Sequence, residues 1–252
     1  QIGTGSMNKF KTLVLTIGTL LLLAIVFLSP LRFLDNVFYD LNFSFAAPPA
    51  GDSVVVVGID VESIGRVGAW PWPRSLTALL VNEINKCEPA AVALDMLFPR
   101  GHDPEADDSL AQAFKAVENL VLPFRAGRVS AEAGDEEIDV PEVVHEHRIM
   151  RLANQDMMNS VDLFTVSQFA SLDPAFSQYA DYSGYVNVAT SNTSQKLREA
   201  VHVMEAGSEY YPSFAIAAVA AYYDLSRSDL VFDFSGPALH LGDFGRVPLS
   251  SY

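Results

Sequence analysis

The sequence predicts an α/β protein with a mixed, mainly parallel sheet flanked by helices and preceded by one N-terminal transmembrane helix. Short apolar runs rich in β-branched residues alternate with segments of helical period, which is the pattern of parallel strands joined by right-handed crossovers. A long charge-free stretch near the N-terminus predicts the membrane helix. The three predicted strands and the two helices between them are residues 53–60, 74–86, 90–98, 109–117 and 119–124.

The predicted membrane helix covers residues 12–28, which read TLVLTIGTLLLLAIVFL and carry no charge. Phe10 and Ser29 extend the stretch to about twenty residues, enough to cross a bilayer. A buried core helix is a weaker interpretation because the stretch has no polar face. A cleaved signal peptide also fits poorly, because SPLRFLDN follows in place of small residues.

The distribution of charge predicts the orientation in the membrane. Lys9 and Lys11 precede the span, whereas every acidic residue follows it, beginning at Asp35. The positive-inside rule then places the N-terminus in the cytoplasm of a bacterial cell and the rest on the periplasmic side of the inner membrane. The net charge of −15 argues against nucleic acid as a partner.

We expect four segments along the chain. Residues 1–6 precede Met7 and resemble a cloning remnant, and residues 7–30 form a cytoplasmic stub and the transmembrane helix. Residues 31–50 form a juxtamembrane helix and linker, and residues 51–252 form the extracytoplasmic domain, which we expect to be truncated at its C-terminus. The juxtamembrane helix carries an apolar stripe with helical spacing: Leu31, Leu34, Phe38, Leu41 and Phe45.

The second half of the chain has a weaker pattern. Residues 128–147 are acidic and poor in apolar side chains, which is typical of a solvated loop. A helix is expected to begin near Pro212. Four further strands are expected at 184–188, 200–204, 230–234 and 238–241.

Two carboxylates follow the first two predicted strands. Asp60 and Asp95 lie at the carboxyl ends of these strands, where ligands bind in open α/β sheets. Side by side, they would hold a divalent cation such as Mg²⁺ or Ca²⁺, or the ammonium group of a ligand. Alternatively, each carboxylate caps a loop amide or pairs with Arg66 or Arg74.

Aromatic residues and histidines supply two weaker candidates. Trp70 and Trp72 lie in the proline-rich loop before Arg74, where they could line a pocket or pack as a structural plug. His145 and His147 would share one face of a strand and could bind a metal, but exposed loop histidines are the simpler interpretation.

The catalytic motifs of common enzyme classes are missing from the sequence, including GxSxG, HExxH, the P-loop and GxGxxG. An enzymatic function therefore depends on the Asp60 and Asp95 pair with Arg74 nearby. This alternative is a Mg²⁺-dependent extracytoplasmic hydrolase. A third alternative is a dimerisation scaffold that binds no ligand.

Several segments together resemble the type-2 CHASE domains, which are extracellular sensors attached to cyclases and histidine kinases. The matching segments are FYDLNF (38–43), VVVVGID (54–60), GAWPWPR (68–74), LDMLF (94–98), DDSLAQAF (107–114), GYVNV (184–188) and YPSFAIAAVAAYY (211–223). The sequence departs from the family after GYVNV, where ATSNTSQKLRE replaces an acidic, glycine-containing turn.

The resemblance implies a ligand-sensing domain that is not itself an enzyme. Its cytoplasmic output would be an adenylate or diguanylate cyclase, a histidine kinase or a Ser/Thr kinase, none of which lies in these 252 residues. The expected partners are a small-molecule or protein signal, the lipid bilayer and a second copy of the chain. The expected ligand-binding residues are Asp60, Asp95, Arg74, Trp70 and Trp72.

Overall fold

A computed structural model describes most of the chain as two compact units, Gln1–Val61 and Glu62–Tyr252. This division lies after the predicted boundary at residue 51, and the four predicted segments stay a prediction. The described residues are 4–27, 31–46, 51–99, 103–127, 140–161, 163–166, 168–170, 173–186 and 200–249.

The first unit contains two helices, α1 (Thr4–Phe27) and α2 (Leu31–Ala46). Among the described residues, no helix combines the length and apolarity that a membrane crossing requires, so the predicted span is not confirmed. Lys9 and Lys11 lie inside α1, and Leu28 and Ser29 lie outside the described residues.

Helix α2 exposes aromatic and aliphatic side chains along its length. Phe38, Leu41 and Phe45 of the predicted apolar stripe are 63%, 46% and 84% exposed. Tyr39 and Phe43 stack with ring centroids 6.3 Å apart. The side chains of the first part of the stripe lie outside the described set.

The prediction of a first strand at residues 53–60 is wrong. Within the described chain these residues belong to no strand, and Val55 and Val56 are 82% and 87% exposed. β-Branched residues favour strands mainly because they pack against neighbouring strands. A run of valines therefore indicates strand-forming tendency, but it does not supply the neighbouring strand.

The second unit begins with alternating helices and strands, as predicted. Helix α3 (Val61–Val67) is followed by α4 (Arg74–Asn85), β1 (Val92–Ala93), α5 (Pro104–Lys115) and β2 (Leu120–Gly127). β1 and β2 are parallel, which confirms the predicted relation between the second and third runs.

The two long helices of this region have clear local causes. Pro73 precedes α4, where its fixed φ suits a helix start. Asp103 caps α5, because its carboxylate accepts a hydrogen bond from the Ala106 N–H at 3.2 Å. Helix α5 thus begins at Pro104, more than one turn before the predicted start at residue 109.

A cluster of three aromatic rings fills the core beneath these helices. Phe98, Phe114 and Phe176 lie with ring centroids 5.5 to 5.9 Å apart, in edge-on or tilted contacts. Phe176 belongs to the short helix α7 (Pro174–Ser177), whose position is thereby fixed against α5.

Two more strands complete the first sheet. β5 (Gln168–Ala170) pairs with the far end of β2 in the antiparallel sense, and β6 (Tyr182–Tyr185) pairs with β2 in parallel. β6 confirms the start of the strand predicted at 184–188, while residues 187–188 lie outside the described residues.

The remaining described segments form two smaller sheets. One contains β3 (Arg151–Ala153), β9 (Leu230–Asp233), β10 (Ala238–Leu241) and β11 (Gly245–Pro248), in the order β11-β10-β9-β3. The pair predicted at 230–234 and 238–241 is confirmed. The other sheet has the order β4-β7-β8, and its strands are β4 (Phe164–Thr165), β7 (Val203–Ala206) and β8 (Glu209–Pro212).

Helix α6 (Glu142–His145) lies in the segment that was expected to be a loop, and helix α8 (Phe214–Tyr222) follows Pro212 as expected. Short 3₁₀ turns occur at Gln155–Ser160 and Arg227–Asp229.

The described sheets are mixed, so the prediction of a mainly parallel sheet is wrong. β7 with β8, β9 with β10 and β10 with β11 are hairpins whose strands run antiparallel. Connections of two to four residues cannot cross over a sheet face, so they allow only antiparallel pairing. Parallel pairs occur in the first sheet and also between β3 and β9 and between β4 and β7.

Candidate functional site

Arg74, a predicted ligand-binding residue, is engaged within the fold. Its guanidinium forms an ion pair with Asp107 of α5 and donates a hydrogen bond to the Pro99 carbonyl. It also lies over the Phe176 ring, 4.7 Å from the centroid. With 16% of its side chain exposed, Arg74 connects α4, α5, α7 and the loop after β1.

The two tryptophans of the proline-rich loop contact each other. The rings of Trp70 and Trp72 meet edge to face with centroids 5.8 Å apart, and the Trp72 indole N–H donates to the Gly68 carbonyl at 2.9 Å. Trp70 remains 48% exposed. The loop is therefore folded on itself, and a ligand-binding role for the indoles stays a prediction.

Asp60 and Asp95 occupy exposed positions in different units. Asp95 lies two residues after β1, at the carboxyl end of that strand as expected. Among the described residues, no group of three or more His, Cys, Asp or Glu side chains could hold a metal ion. A two-carboxylate site for Mg²⁺ or Ca²⁺ stays a prediction.

His145 and His147 have different surroundings. The Nδ1 atom of His145 lies 2.9 Å from Glu209 Oε2, and Arg148 pairs with the same carboxylate at 3.2 Å. The Tyr211 hydroxyl donates to Glu209 at 2.7 Å. These contacts attach the end of α6 to β8. His147 does not take part in them and lines a cavity. Neither histidine is an exposed loop residue, which corrects the simpler interpretation of the sequence.

The cavity next to His147 has a volume of about 220 Å³ and lies wholly within the second unit. We call it the His147 cavity. Its polar lining residues are His147, Asp181, Tyr182, Ser183, Ser226 and Arg227. Its apolar lining residues are Pro212, Ala217, Ala220, Leu225 and Leu230. One water needs roughly 10–15 Å³ and drug-sized ligands need about 300–1,000 Å³, so the cavity suits a small molecule.

A close approach of backbone segments builds one wall of the cavity. Gly184 of β6 lies so near the chain before α8 that an added Cβ would meet the Ser213 carbonyl at 2.5 Å. Ser213 caps α8 by accepting a hydrogen bond from the Ile216 N–H at 3.3 Å. The absent side chain at residue 184 thus places the start of α8 directly over β6.

Helix α8 supplies the apolar floor of the cavity. Ala217 and Ala220 are buried and line the cavity, while Ala221 packs with Val121 of β2. Alanine is the best helix former, so the helix remains stable while its small side chains leave open space.

His147 is held in the neutral form. Burial, and to a smaller extent the nearby positive charge of Arg227, together lower the pKa of His147 to about 4. At neutral pH the imidazole therefore offers one N–H donor and one acceptor nitrogen to the cavity.

Tyr182 also lines the cavity, and it has several acidic residues near it. Its pKa is raised by burial and by the negative charges of Asp224, Asp181 and Asp229, and it also has a hydrogen bond with Asp224. Asp181 additionally accepts a hydrogen bond from the Leu120 N–H at 3.0 Å. The cavity therefore has a cationic environment near His147 and an anionic environment near Tyr182.

The serine hydroxyls of the cavity are already used as donors. Ser183 donates to the Leu122 carbonyl at 2.8 Å, and Ser226 donates to Asp229 at 2.6 Å. A serine nucleophile needs a base that accepts its proton, and these two protons are held by a carbonyl and by a capping carboxylate. The arrangement is therefore suited to binding a polar molecule.

The sequence prediction missed most residues of this cavity. Asp181, Tyr182 and Arg227 were not singled out, because they come from segments separated by more than forty residues and have no motif spacing. His147 was noticed only as one of two histidines. The one available signal was position: Asp181 and Tyr182 immediately precede GYVNV, one of the segments that resembles the CHASE family.

The family model for the CHASE2 domain matches residues 18–251. This chain belongs to the CHASE2 domain family, which confirms the resemblance found in the sequence; the family's members are extracellular sensor domains and not catalysts. No curated protein and no solved structure matches the chain.

Proposed function

We propose that this chain is the extracytoplasmic ligand-sensing domain of a bacterial membrane receptor, and that the His147 cavity is its ligand site. The observation that carries the proposal is the cavity itself, which brings His147, Asp181 and Arg227 to one concave surface. Small-molecule sites are concave, largely apolar and supplied with a few polar groups, and this cavity has those properties.

The alternative of a Mg²⁺-dependent hydrolase has less support. It requires Arg74 to assist the Asp60 and Asp95 carboxylates, but the Arg74 guanidinium is paired with Asp107. The charge that would stabilise a transferring phosphoryl group is thus already neutralised. A sensing role therefore fits the described contacts better than hydrolysis does.

We also propose that the domain is anchored to the inner membrane through its N-terminal apolar segment, with a cyclase or kinase as its cytoplasmic output. The support is the charge-free stretch at residues 12–28 and the two lysines before it. Resistance to extraction at alkaline pH tests the anchor. Release into the soluble fraction would contradict it.

A second copy of the chain is the partner that we propose for helix α2. Phe38, Leu41 and Phe45 are exposed and follow one side of the helix. An exposed apolar stripe of this kind normally marks an interaction surface. Two copies joined along α2 would suit a receptor whose output works as a dimer.

The ligand site is tested by blocking the cavity without changing its polar groups. Ala220→Leu adds bulk to the floor, and Val219→Leu places the same leucine side chain at a neighbouring position that is 37% exposed and does not line the cavity. Ligand-observed NMR with a library of small acids, amines, zwitterions and neutral compounds should show binders that Ala220→Leu loses and Val219→Leu keeps.

Circular dichroism must show that both variants fold, because added bulk in a packed region costs about 1–3 kcal/mol. If Ala220→Leu fails to fold, Arg227→Gln at the exposed edge of the cavity serves as the second variant. Compounds that bind equally to the unchanged chain and to the folded cavity variant would place the ligand site elsewhere.

A further inference from the structure

The lining of the His147 cavity includes both a positively charged and a negatively charged side chain. The charge that acts on His147 is that of Arg227, whereas the charges that act on Tyr182 are those of Asp224, Asp181 and Asp229. Arg227 and Asp181 both line the cavity, and no ion pair joins them in the described part of the chain, so the cavity offers both signs of charge to a ligand.

The cationic part of the lining has an available donor group. Among the described residues, the guanidinium of Arg227 has no ion pair and no hydrogen bond. A planar guanidinium binds a carboxylate through two parallel hydrogen bonds. The neutral imidazole of His147 lies in the same cavity and offers a further N–H.

The anionic part of the lining retains acceptor capacity. One oxygen of Asp181 accepts the Leu120 N–H, and a carboxylate has about four acceptor positions. The remaining positions would receive the N–H groups of an ammonium ion.

On these grounds, which rest on the proposed sensing function, we infer that the His147 cavity binds a small zwitterion of the α-amino acid type. Its carboxylate pairs with Arg227 and accepts from His147. Its ammonium group pairs with Asp181, and an aliphatic side chain contacts the floor at Ala217.

Singly charged molecules match this lining less well. A simple anion would be drawn to Arg227 but repelled by the three nearby carboxylates and by the chain's net charge of −15. A simple cation would make no favourable contact with the exposed Arg227 guanidinium and would be repelled by its charge. The cavity of about 220 Å³ also limits the side chain to a small aliphatic group.

Titration calorimetry of the full chain with matched compounds tests the ligand class. The probes are L-alanine, L-valine and L-leucine, the acids that lack only the amino group, and the amines that lack only the carboxyl group. We expect at least one amino acid to bind about ten times more tightly than either of its analogues, because each charge-assisted contact contributes roughly tenfold or more.

Two variants assign the ends of the ligand. Arg227→Gln should weaken the amino acid about tenfold and should not weaken the amine. Asp181→Asn keeps an oxygen for the Leu120 N–H, and it should weaken the amino acid to a similar extent and should not weaken the acid. Arg66→Gln is the matched control, because Arg66 is exposed and pairs only with Glu62.

Equal binding of an amino acid and its singly charged analogues would overturn the zwitterion. An equal loss of amino-acid affinity in Arg227→Gln and Arg66→Gln would also overturn it, as would the absence of binding by every probe. If library compounds of another class are nevertheless lost in Ala220→Leu, the ligand class is wrong and the sensing site stands. If Ala220→Leu loses none of them, both proposals fail.

Discussion

The pKa of His147 is strongly lowered by burial beside the cavity. In the folded chain its pKa is about 4, compared with about 6.5 for a solvated histidine. Between these values the unfolded chain binds a proton that the folded chain does not. The free energy of unfolding must therefore fall as the pH decreases from about 6.5 to 4, and this residue contributes no change above that range.

The first prediction concerns this pH dependence. Replacing His147 with Gln removes the titrating group and keeps a polar side chain of similar length. We expect the wild-type chain to lose about 2–3 kcal/mol more stability than His147→Gln between pH 6.5 and 4. Urea unfolding of both proteins at several pH values measures this difference. Parallel curves would show that His147 titrates normally.

Substitution of Arg74 can distinguish a structural role from the predicted ligand-binding role. Arg74→Met leaves Asp107 without its cation and removes the contact with the Phe176 ring. We expect a loss of about 2 kcal/mol in the free energy of unfolding, because the pair is largely enclosed. Arg66→Met is the control, since the Arg66 and Glu62 side chains are 77% and 69% exposed.

The control should cost less than about 0.5 kcal/mol, as exposed pairs usually do. Urea unfolding gives both values. If Arg74→Met proved as mild as Arg66→Met, the structural role of Arg74 would be wrong, and the predicted ligand role would gain support.

At the scale of elements, the sequence predicted the helices and strands whose boundaries are marked by residues close to them in the chain. Pro73 and the apolar spacing after it predicted α4, and Ser235, Gly236 and Pro237 separated β9 from β10. Such signals need only a few neighbouring residues. The strand at 53–60 was predicted wrongly because pairing depends on distant chain segments. The cavity could not be predicted for the same reason.

The exposed valines provide a prediction at this scale. Val56 is 87% exposed, whereas Val121 of β2 is fully buried. Replacing valine with threonine keeps the shape of the side chain and exchanges a methyl group for a hydroxyl. A hydroxyl buried without a hydrogen-bond partner lowers the free energy of unfolding by about 1–3 kcal/mol. We expect Val56→Thr to change the free energy of unfolding by less than about 0.5 kcal/mol, and Val121→Thr to lower it by at least 1 kcal/mol.

Chemical denaturation of the two variants in parallel gives the comparison. A similar loss in both would mean that residues 53–60 are buried and paired, as the sequence predicted. The identical substitution at both positions removes differences in side-chain chemistry from the result.

At the scale of the whole molecule, the proposed pairing of two chains can be tested through α2. Cys87 is the only cysteine, so Cys87→Ser gives a background without thiols. We expect Phe38→Cys and Leu41→Cys to form disulfide-linked dimers in membranes, because both lie on the apolar stripe. Phe43→Cys lies on the opposite side of the helix and is 62% exposed, so it should remain monomeric.

Gel electrophoresis without reducing agent measures the dimer fraction. Equal cross-linking at all three positions would indicate random collision, and no cross-linking at any position would show that α2 is not a dimer contact.

The alanine floor of the cavity has a consequence for how such a receptor can change over evolutionary time. The polar groups of the lining come from the strand β6 and from turns, whereas the volume is set by the methyl groups of Ala217 and Ala220 on α8. Single substitutions at these two positions alter the size of the accepted molecule and leave the charged groups in place. Under the proposed sensing function, the accepted ligand size can therefore change while the charged groups that select its chemical class are retained.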